Sequence, residues 1–270
     1  MTSKIQLSIG LIAAFALGAI VVAYSSAQQS TGQEETVLST SFTDSQEEDI
    51  RAVVKDYLMT NPEIIIEAVN EYSARERALA ETKKIEGATE NLARLLNPEN
   101  GYVAGVAPDK AKVVVIEMFD YHCGFCKKAL PLVKEITERD EDVRMVFREL
   151  PILKIESDLA AEYSLAARDQ DKFMEFHFAL MGASGVLNEN RIESIAKDVG
   201  LDFAKLKKSR AHKSIATAIS ETHEIAQQMG TGGTPTFVIA ALDGSYVDVL
   251  EGFRPHELVA KIEAAKKAAG

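Results

Sequence analysis

Cys123 and Cys126 are the only thiols in this 270-residue chain, and just Gly124 and Phe125 separate them. Because no other cysteine is present, neither thiol has another partner within the chain for a structural disulfide. A bridge that closes so short a segment would constrain the unfolded chain very little. The pair is therefore explained better by its own chemistry, which for a CxxC dithiol is disulfide exchange with other molecules.

The same spacing also occurs in metal sites, which gives two alternatives. A structural zinc site needs four ligands, and the sequence offers no second pair of cysteines and only His122 nearby. Two thiolates by themselves suit Cu(I), which is a soft ion. Copper binding stays open as an alternative, whereas the leading hypothesis is a redox dithiol with no cofactor and no metal.

The segments on either side place the dithiol between a strand and a helix. β-branched and apolar residues fill 112–119, which predicts a buried strand, and apolar residues at helical spacing follow from Lys127. Free N–H groups and the dipole at a helix N-terminus stabilise a thiolate, and such cysteines have pKa values of roughly 3.5–7.5. Cys123 is therefore the predicted nucleophile, and Cys126, one turn further, the more buried resolving thiol.

The N-terminus predicts export. A largely apolar run covers 7–23, and the small residues Ser25 and Ala27 suit a signal-peptidase site, so residues 1–27 are a predicted signal peptide cleaved after Ala27. The run is nearly long enough to span a bilayer, so the alternative is an uncleaved anchor formed by residues 5–23. In both cases the rest of the chain is exported, which suits a dithiol enzyme in an oxidising compartment.

The charge balance excludes one class of partner. Acidic residues outnumber basic ones by 41 to 30, for a net charge of −11. Nucleic-acid binding needs a basic surface, so no nucleic-acid partner is expected, and no polybasic patch for anionic lipid is present either.

Residues 28–99 predict a spacer followed by a helical module. Polar residues in 28–45 predict a disordered spacer. A predicted capping box, Ser45 to Glu48, opens an amphipathic helix, and Asn61-Pro62-Glu63 ends that helix and begins another. The charged stretch 74–84 lacks an apolar seam and is predicted to be a solvated linker.

Two short helices cannot bury their apolar faces alone. Residues 46–73 are therefore expected to join copies of the chain, and docking on the catalytic domain is the alternative. Together with the linker, they define a predicted oligomerisation module over 46–99.

Strand and helix patterns alternate from residue 100 to residue 270. The strands are predicted over 112–119, 143–148, 236–239 and 246–250, and the helices after Cys126, within 155–229 and over 255–268. The order β-α-β, helical insertion, β-β-α predicts an α/β catalytic domain. Its dithiol lies at the carboxyl end of a strand, where open α/β sheets place their sites.

These motifs resemble a known family. The segment 119–127, Phe-Asp-Tyr-His-Cys-Gly-Phe-Cys-Lys, resembles the active-site segment of exported bacterial thioredoxin-fold oxidoreductases of the DsbA type. The segment 233–237, Gly-Thr-Pro-Thr-Phe, resembles the cis-proline loop of that superfamily, and 51–71 is similar to the N-terminal oligomerisation region of suppressor-of-copper-sensitivity protein C relatives. The resemblance covers about 46–265. It implies a thioredoxin fold with a helical insertion, preceded by a small all-helical N-terminal module.

The resemblance also implies roles for individual residues. Cys123 would attack a substrate disulfide and Cys126 would resolve the mixed disulfide. Thr234 and Pro235 would lie against the dithiol and bind an extended substrate segment, unless Pro235 simply initiates its strand. Glu117 matches a buried acid beneath the dithiol that takes the proton of the resolving thiol, and an exposed strand carboxylate is the alternative.

One departure from the family pattern concerns the direction of the reaction. DsbA-type oxidases carry Pro-His between the cysteines, whereas Gly-Phe here places no cation inside the motif and implies a less oxidising disulfide. Gly followed by an aromatic residue resembles bacterial disulfide isomerases, which also assemble through N-terminal regions. His122, just outside the motif, either supports the thiolate or is incidental, and His177 is expected to be a core or surface residue.

The sequence therefore predicts a periplasmic disulfide isomerase or reductase. Its partners would be unfolded or misoxidised exported proteins, a membrane redox partner and further copies of itself. The alternatives are a DsbA-type dithiol oxidase, a Cu(I)-binding copper-tolerance protein that uses the same thiolates, and a holdase whose helical module binds unfolded chains.

Overall fold

A computed structural model describes residues 42–270, so the predicted leader and most of the predicted spacer lie outside the described residues. The chain divides into two units, one ending at Ile65 and the other running from Ile66 to Gly270. Within residues 42–270, no helix has both the length and the apolar character needed to cross a bilayer.

Ten helices and five strands make up the described part of the chain. The helices are α1 (Asp44–Thr60), α2 (Glu63–Glu90), α3 (Leu92–Leu95), α4 (Gly124–Arg139), α5 (Ile155–Ala166), α6 (Phe173–Gly182), α7 (Glu189–Asp198), α8 (Phe203–Ser209), α9 (Lys213–Met229) and α10 (Pro255–Ala268). The strands are β1 (Tyr102–Gly105), β2 (Val113–Phe119), β3 (Val143–Glu149), β4 (Thr236–Ala241) and β5 (Val247–Glu251).

The first helix begins slightly earlier than the sequence predicts. Thr43, not Ser45, is the N-cap of α1: its hydroxyl accepts from the Gln46 N–H, and the Gln46 side chain accepts from the Thr43 N–H. The predicted capping box from Ser45 to Glu48 is therefore wrong, because a glutamine completes this motif as well as a glutamate does. The large apolar residues of α1 are exposed, among them Val53 and Tyr57, except for Leu58, which is half-buried.

The second helix runs unbroken through the charged stretch 74–84. Its earlier turns in the second unit expose Ile66, Val69 and Tyr72. Its last turns differ, because Ala88 is fully buried and Ile85 packs against the core. Residues 85–96, which follow the predicted linker 74–84 in the predicted module over 46–99, thus contribute to the core of the second unit.

The sheet is mixed, with strand order β1-β3-β2-β4-β5. β2 and β3 are parallel, and the other three pairs are antiparallel. Every residue of the central strand β2 is buried, as expected when helices cover both faces of a sheet. The edge strand β1 was not predicted from the sequence, because only four partly buried residues form it.

Alternate residues of β2 face two different cores. Val113, Val115 and Phe119 join a large core that also contains both cysteines and residues of the helical insertion. Val114, Ile116 and Met118 join a smaller core with residues of α9 and of the end of α2. Since successive side chains of a strand point to opposite faces, Glu117 lies on the face that carries the dithiol. The predicted α/β fold with a helical insertion is confirmed.

Candidate active site

Cys123 occupies the position that stabilises a thiolate best. It is the N-cap of α4, and the Cys126 N–H donates to its sulfur at 3.4 Å. The pKa of Cys123 falls to about 5, chiefly through a hydrogen bond with the Cys126 side chain. Burial opposes the shift, and Thr234 and the backbone N–H groups of Cys126 and Phe125 add to it. Cys123 is therefore a thiolate at neutral pH.

Cys126 has the opposite character. It is buried more deeply than Cys123, on the inner side of the first turn of α4. Burial raises its pKa, and the hydrogen bond with Cys123 and the charge of Glu117 raise it further. Two thiols three residues apart thus differ in ionisation, which gives one nucleophile and one protonated partner.

Glu117 is buried on β2, only 2% exposed, which excludes the alternative of an exposed strand carboxylate. Burial, followed by the nearby Cys123, raises the pKa of its carboxyl to about 8. A carboxyl with a pKa in that range can take up and release a proton near neutral pH. Its charge also acts on Cys126, so it lies within electrostatic reach of both sulfurs.

Thr234 lies against the dithiol, although 111 residues separate it from Cys123 in sequence. The peptide bond between Thr234 and Pro235 is cis. When Cys123 is protonated, its thiol donates to the carbonyl oxygen of Thr234 at 3.1 Å. The Thr234 hydroxyl is buried without a protein hydrogen-bond partner, so its proton is free to turn toward a newly formed thiolate.

The His122 ring is neutral and connects two segments of the chain through hydrogen bonds. The Leu187 N–H donates to its Nε2 at 3.0 Å, which leaves Nδ1 as the protonated nitrogen, 2.9 Å from the Ser157 hydroxyl. Burial lowers the pKa of His122. The neutral ring therefore joins the CxxC segment to the helical insertion and supplies no positive charge to the Cys123 thiolate.

Asp120 organises the same region and was not singled out from the sequence. It is 1% exposed, and its oxygens accept from the backbone N–H groups of His122, Ile152 and Leu153 and from the Ser157 hydroxyl at 2.7–2.9 Å. These bonds hold the loop after β3 beside the dithiol. An acidic residue directly after a buried strand was the available sequence signal.

Comparison with known proteins agrees with this geometry. A family model described as the DSBA-like thioredoxin domain matches residues 114–263. The chain belongs to this family. A second model, described as the copper resistance protein ScsC N-terminal domain, matches residues 46–78. The predicted thioredoxin fold with a helical N-terminal region is therefore confirmed.

Solved structures of the DSBA-like family resemble this chain over most of their length. A thioredoxin-like oxidoreductase from Silicibacter pomeroyi DSS-3 is 37% identical with a TM-score of 0.57, covering 64% of this chain and 95% of its own. BcfH from Salmonella enterica Typhimurium is 26% identical with a TM-score of 0.68, covering 82% and 96%. Proteus mirabilis ScsC in a transitional conformation is 25% identical with a TM-score of 0.58, covering 84% and 98%.

Curated relatives include longer proteins of another kind. A Na(+)/H(+) antiporter, NhaA 1 of Salinispora arenicola, is 31% identical over 158 residues, which are 57% of this chain. This chain spans about a quarter of the length of the curated relatives that it matches.

In this DSBA-like domain, exposed apolar residues on the CxxC segment and on the segments that hydrogen-bond to Asp120 and His122 form what we call the apolar rim. Large apolar side chains near the CxxC segment are exposed to solvent: Phe125, Ile152, Leu153, Ile155 and Val186. The ammonium of Lys128 lies 5.0 Å from the centre of the Phe125 ring, a cation–π distance. Asp120 fixes the loop that carries Ile152 and Leu153, so the rim is part of the site.

His177 belongs to the interior, one of the two places expected from the sequence. It is buried, its Nδ1 lies 2.9 Å from the Tyr121 hydroxyl, and burial lowers its pKa to about 3. The Tyr121 hydroxyl also contacts Glu149 and Ser164. His177 thus satisfies a buried polar cluster and takes no part in the dithiol geometry.

Proposed function

We propose that this protein is a thiol–disulfide oxidoreductase of exported proteins that acts as a disulfide isomerase or reductase through Cys123 and Cys126. The unequal ionisation of the two thiols carries the proposal, because the pKa of Cys123 is about 5 while burial raises that of Cys126. The thiolate is the nucleophile in disulfide exchange. Cys123 therefore attacks the substrate disulfide, and Cys126 stays protonated during this step.

The first step forms a mixed disulfide. The Cys123 thiolate attacks one sulfur of a substrate disulfide, a new S–S bond forms, and the other substrate sulfur leaves as a thiolate. In isomerisation a different substrate thiolate then attacks the mixed disulfide. This step restores the Cys123 thiolate and gives a rearranged substrate with no net oxidation or reduction.

Alternatively, Cys126 resolves the mixed disulfide. The Cys126 thiol gives its proton to the Glu117 carboxylate and attacks the Cys123 sulfur. The Cys123–Cys126 disulfide forms, and the substrate leaves with two thiols, so the substrate gains two electrons and the protein loses two. A membrane redox partner that reduces this disulfide would complete the cycle.

The apolar rim supports unfolded or misoxidised proteins as substrates. Such chains expose apolar side chains that folded proteins bury. The exposed apolar residues of this rim, with Phe125 and Ile155 among them, can hold such a segment. The carbonyl oxygen of Thr234 faces the Cys123 sulfur, so an extended substrate bound along this loop would meet the nucleophile.

Two observations favour isomerisation over oxidation. The dipeptide between the cysteines is Gly-Phe, and His122 is neutral, so neither the dipeptide nor the residue before Cys123 supplies a cation to the thiolate. In addition, α1 exposes a row of apolar residues that includes Val53 and Tyr57. Self-association through residues 46–73 would place several dithiols in one assembly and raise the effective concentration of a second site for a bound substrate.

A dithiol oxidase is the second candidate, and the low Cys123 pKa is the observation that favours it. A stabilised thiolate stabilises the reduced protein, which makes the disulfide more oxidising. An oxidase would pass the Cys123–Cys126 disulfide to a reduced substrate and would then be reoxidised by the membrane partner. The direction of net electron flow separates the two candidates.

We assign the protein to the periplasm, exported by residues 1–27 or tethered there by 5–23.

The copper alternative depends on the ligands that the chain offers. Residues 42–270 contain no cluster of three or more histidine, cysteine or acidic side chains that could bind a metal. A Cu(I) site would therefore have only the two cysteine thiolates from this part of the chain.

The experiment is reactivation of a scrambled-disulfide protein by the purified full chain, with Cys123→Ser as the inactive control. We expect the unaltered chain to restore activity to the scrambled protein and the variant to have no effect. Rapid oxidation of a reduced substrate without reactivation would instead identify an oxidase. Stoichiometric Cu(I) binding with neither activity would identify a copper-binding protein.

A further inference from the structure

Glu251 joins the end of α2 to the loop that carries Thr234 and Pro235. One carboxylate oxygen of Glu251 accepts from the Gly232 N–H at 3.2 Å, and the other pairs with the Lys84 ammonium. The side chains of Lys84 and Glu251 are 24% and 29% exposed, so both are half-buried. Glu251 lies on β5 and Lys84 on α2, 167 residues apart in sequence.

Close packing of α2 against the end of α9 places Lys84 beside Glu251. A Cβ atom at Gly87 would lie 2.7 Å from the Cα of Met229, so only glycine lets α2 approach the end of α9 so closely. One residue later, Gly230 ends α9 with a φ of +69°, and a Cβ atom there would lie 3.7 Å from the Lys83 side chain. The last turns of α2 therefore lie directly over the start of the loop.

The loop has internal hydrogen bonds, such as that from the Thr236 hydroxyl to the Gly233 carbonyl oxygen at 2.8 Å, but the Gly232 N–H has its partner, Glu251, outside the loop. Residues 230–233 read Gly-Thr-Gly-Gly, and glycine restricts backbone conformation least of all residues. Two residues after Gly232, the carbonyl oxygen of Thr234 receives the Cys123 thiol at 3.1 Å. On the far side, the Gly252 N–H donates to the Pro235 carbonyl at 2.7 Å, so β5 restrains the loop at both ends.

We propose that Glu251, oriented by Lys84, is a positioning residue that holds the Thr234–Pro235 loop in place for substrate. The end of α2 is then part of the substrate-binding apparatus and not a linker. This inference rests on the proposed function, since it concerns how a disulfide substrate is held.

The proposal predicts a difference between large and small substrates. An extended peptide must pair with the loop, so a displaced loop weakens its binding and raises KM. A small disulfide reacts at Cys123 without using the loop, so its rate should fall much less.

The variants are Lys84→Met, Glu251→Ala and Glu251→Gln in the full chain. The matched control is Lys261→Met, because Lys261 and Asp248 form an ion pair of similar burial that also joins a helix to β5 and does not contact the loop. Amide hydrogen exchange at Gly232 reports the loop directly, whatever the activity. Exchange with a peptide disulfide and with a small disulfide reports the function.

For Lys84→Met and Glu251→Ala we expect about tenfold faster amide exchange at Gly232. We also expect about a 5–10-fold loss of kcat/KM with the peptide, mostly through KM. Glu251→Gln should lose less, since its amide oxygen still accepts from the Gly232 N–H. The reciprocal exchange Lys84→Glu with Glu251→Lys should not rescue, because a lysine at position 251 cannot accept that bond.

Three results would overturn the inference. Unchanged Gly232 exchange in the variants would show that the carboxylate does not hold the loop. Equal losses with the peptide and the small disulfide, or full rescue by the charge exchange, would show an ion pair with a merely structural role. Absence of disulfide exchange in the unaltered chain is a distinct outcome that would overturn the proposed function and, with it, a positioning role in that reaction.

Discussion

The Cys123 thiolate is stabilised mainly by hydrogen bonds and by its place at the N-terminus of α4. His122 is neutral, and the Lys127 ammonium is occupied by the carbonyl oxygens of Met181 and Ala183 at 3.0 and 2.6 Å. The remaining partners are the N-terminal turn of α4 and the Thr234 side chain. Dipoles at contact distance are screened by salt far less than exposed charges are.

The first prediction concerns the Thr234 hydroxyl. Thr234→Val should raise the pKa of Cys123 from about 5 by roughly one unit, because valine keeps the shape of threonine but cannot donate to the thiolate. Thr234→Ser, which keeps the hydroxyl, is the control. The pH dependence of thiolate absorbance or of alkylation measures the change, and identical titrations for Val and Thr would show that the hydroxyl takes no part.

A second prediction concerns Glu117, whose pKa is about 8 in the folded protein against an ordinary 4.5. The unfolded chain releases that proton at lower pH, so the stability from the neutral carboxyl is complete below pH 4.5 and is lost as the pH rises through 8. Glu117→Gln should therefore be more stable than the unaltered reduced chain by about 4 kcal/mol at pH 8, and nearly equal to it at pH 4.

The same variant should slow the resolving step. A glutamine cannot accept the Cys126 proton, so the attack of Cys126 on the mixed disulfide should slow by about 10–100-fold. Urea unfolding at the two pH values tests the stability, and single-turnover release of substrate tests the rate. A variant that loses stability at pH 8, or that resolves the mixed disulfide at the normal rate, would contradict this role for Glu117.

At the scale of elements, local pattern predicts most of the fold. The apolar run of β2, the periodicity of α4 and the bounds of α10 all follow from short-range sequence. The pattern fails where an element depends on a distant partner. Nothing local in the charged helix α2 shows that it docks at Gly87, because the docking partner is the backbone of Met229.

The same distinction between local pattern and distant partners applies to the residues of the active site. Spacing alone identifies Cys123 and Cys126, whereas Thr234 was found only through resemblance to a family. Asp120 and Glu251 were missed, because their roles depend on backbone groups and side chains between 19 and 167 residues away.

Docking of α2 gives the third prediction. Gly87→Val should destabilise the protein by about 2–3 kcal/mol, because a side chain there collides with the Met229 backbone and must push the helices apart. Gly182→Ala is the matched control, since that helical glycine has open space around its Cβ position. It should be neutral or stabilising by up to about 1 kcal/mol. Equal urea midpoints for Gly87→Val and the unaltered chain would mean that α2 does not dock there.

At the scale of the whole molecule, the N-terminal helices and the thiol chemistry are expected to be separable. Deleting everything before residue 100 would not test this, because it would also remove Ala88 and Leu95 from the smaller core. Substitution on the exposed apolar face of α1 leaves that core intact. Val53 and Tyr57 are suitable because both are more than half exposed and lie one turn apart.

The last prediction is that Val53→Glu with Tyr57→Glu converts an oligomer into a monomer. Two charges on one apolar face oppose its burial between copies, whereas Lys55→Glu, at an exposed polar position of the same helix, should leave assembly intact. Sedimentation measures the assembly. We expect the double variant to react with a small disulfide at the normal rate and to reactivate a scrambled protein about tenfold more slowly, because the effective concentration of a second dithiol is lost. An unchanged sedimentation coefficient would refute self-association through this face, and full reactivation by a monomer would show that isomerisation needs a single dithiol.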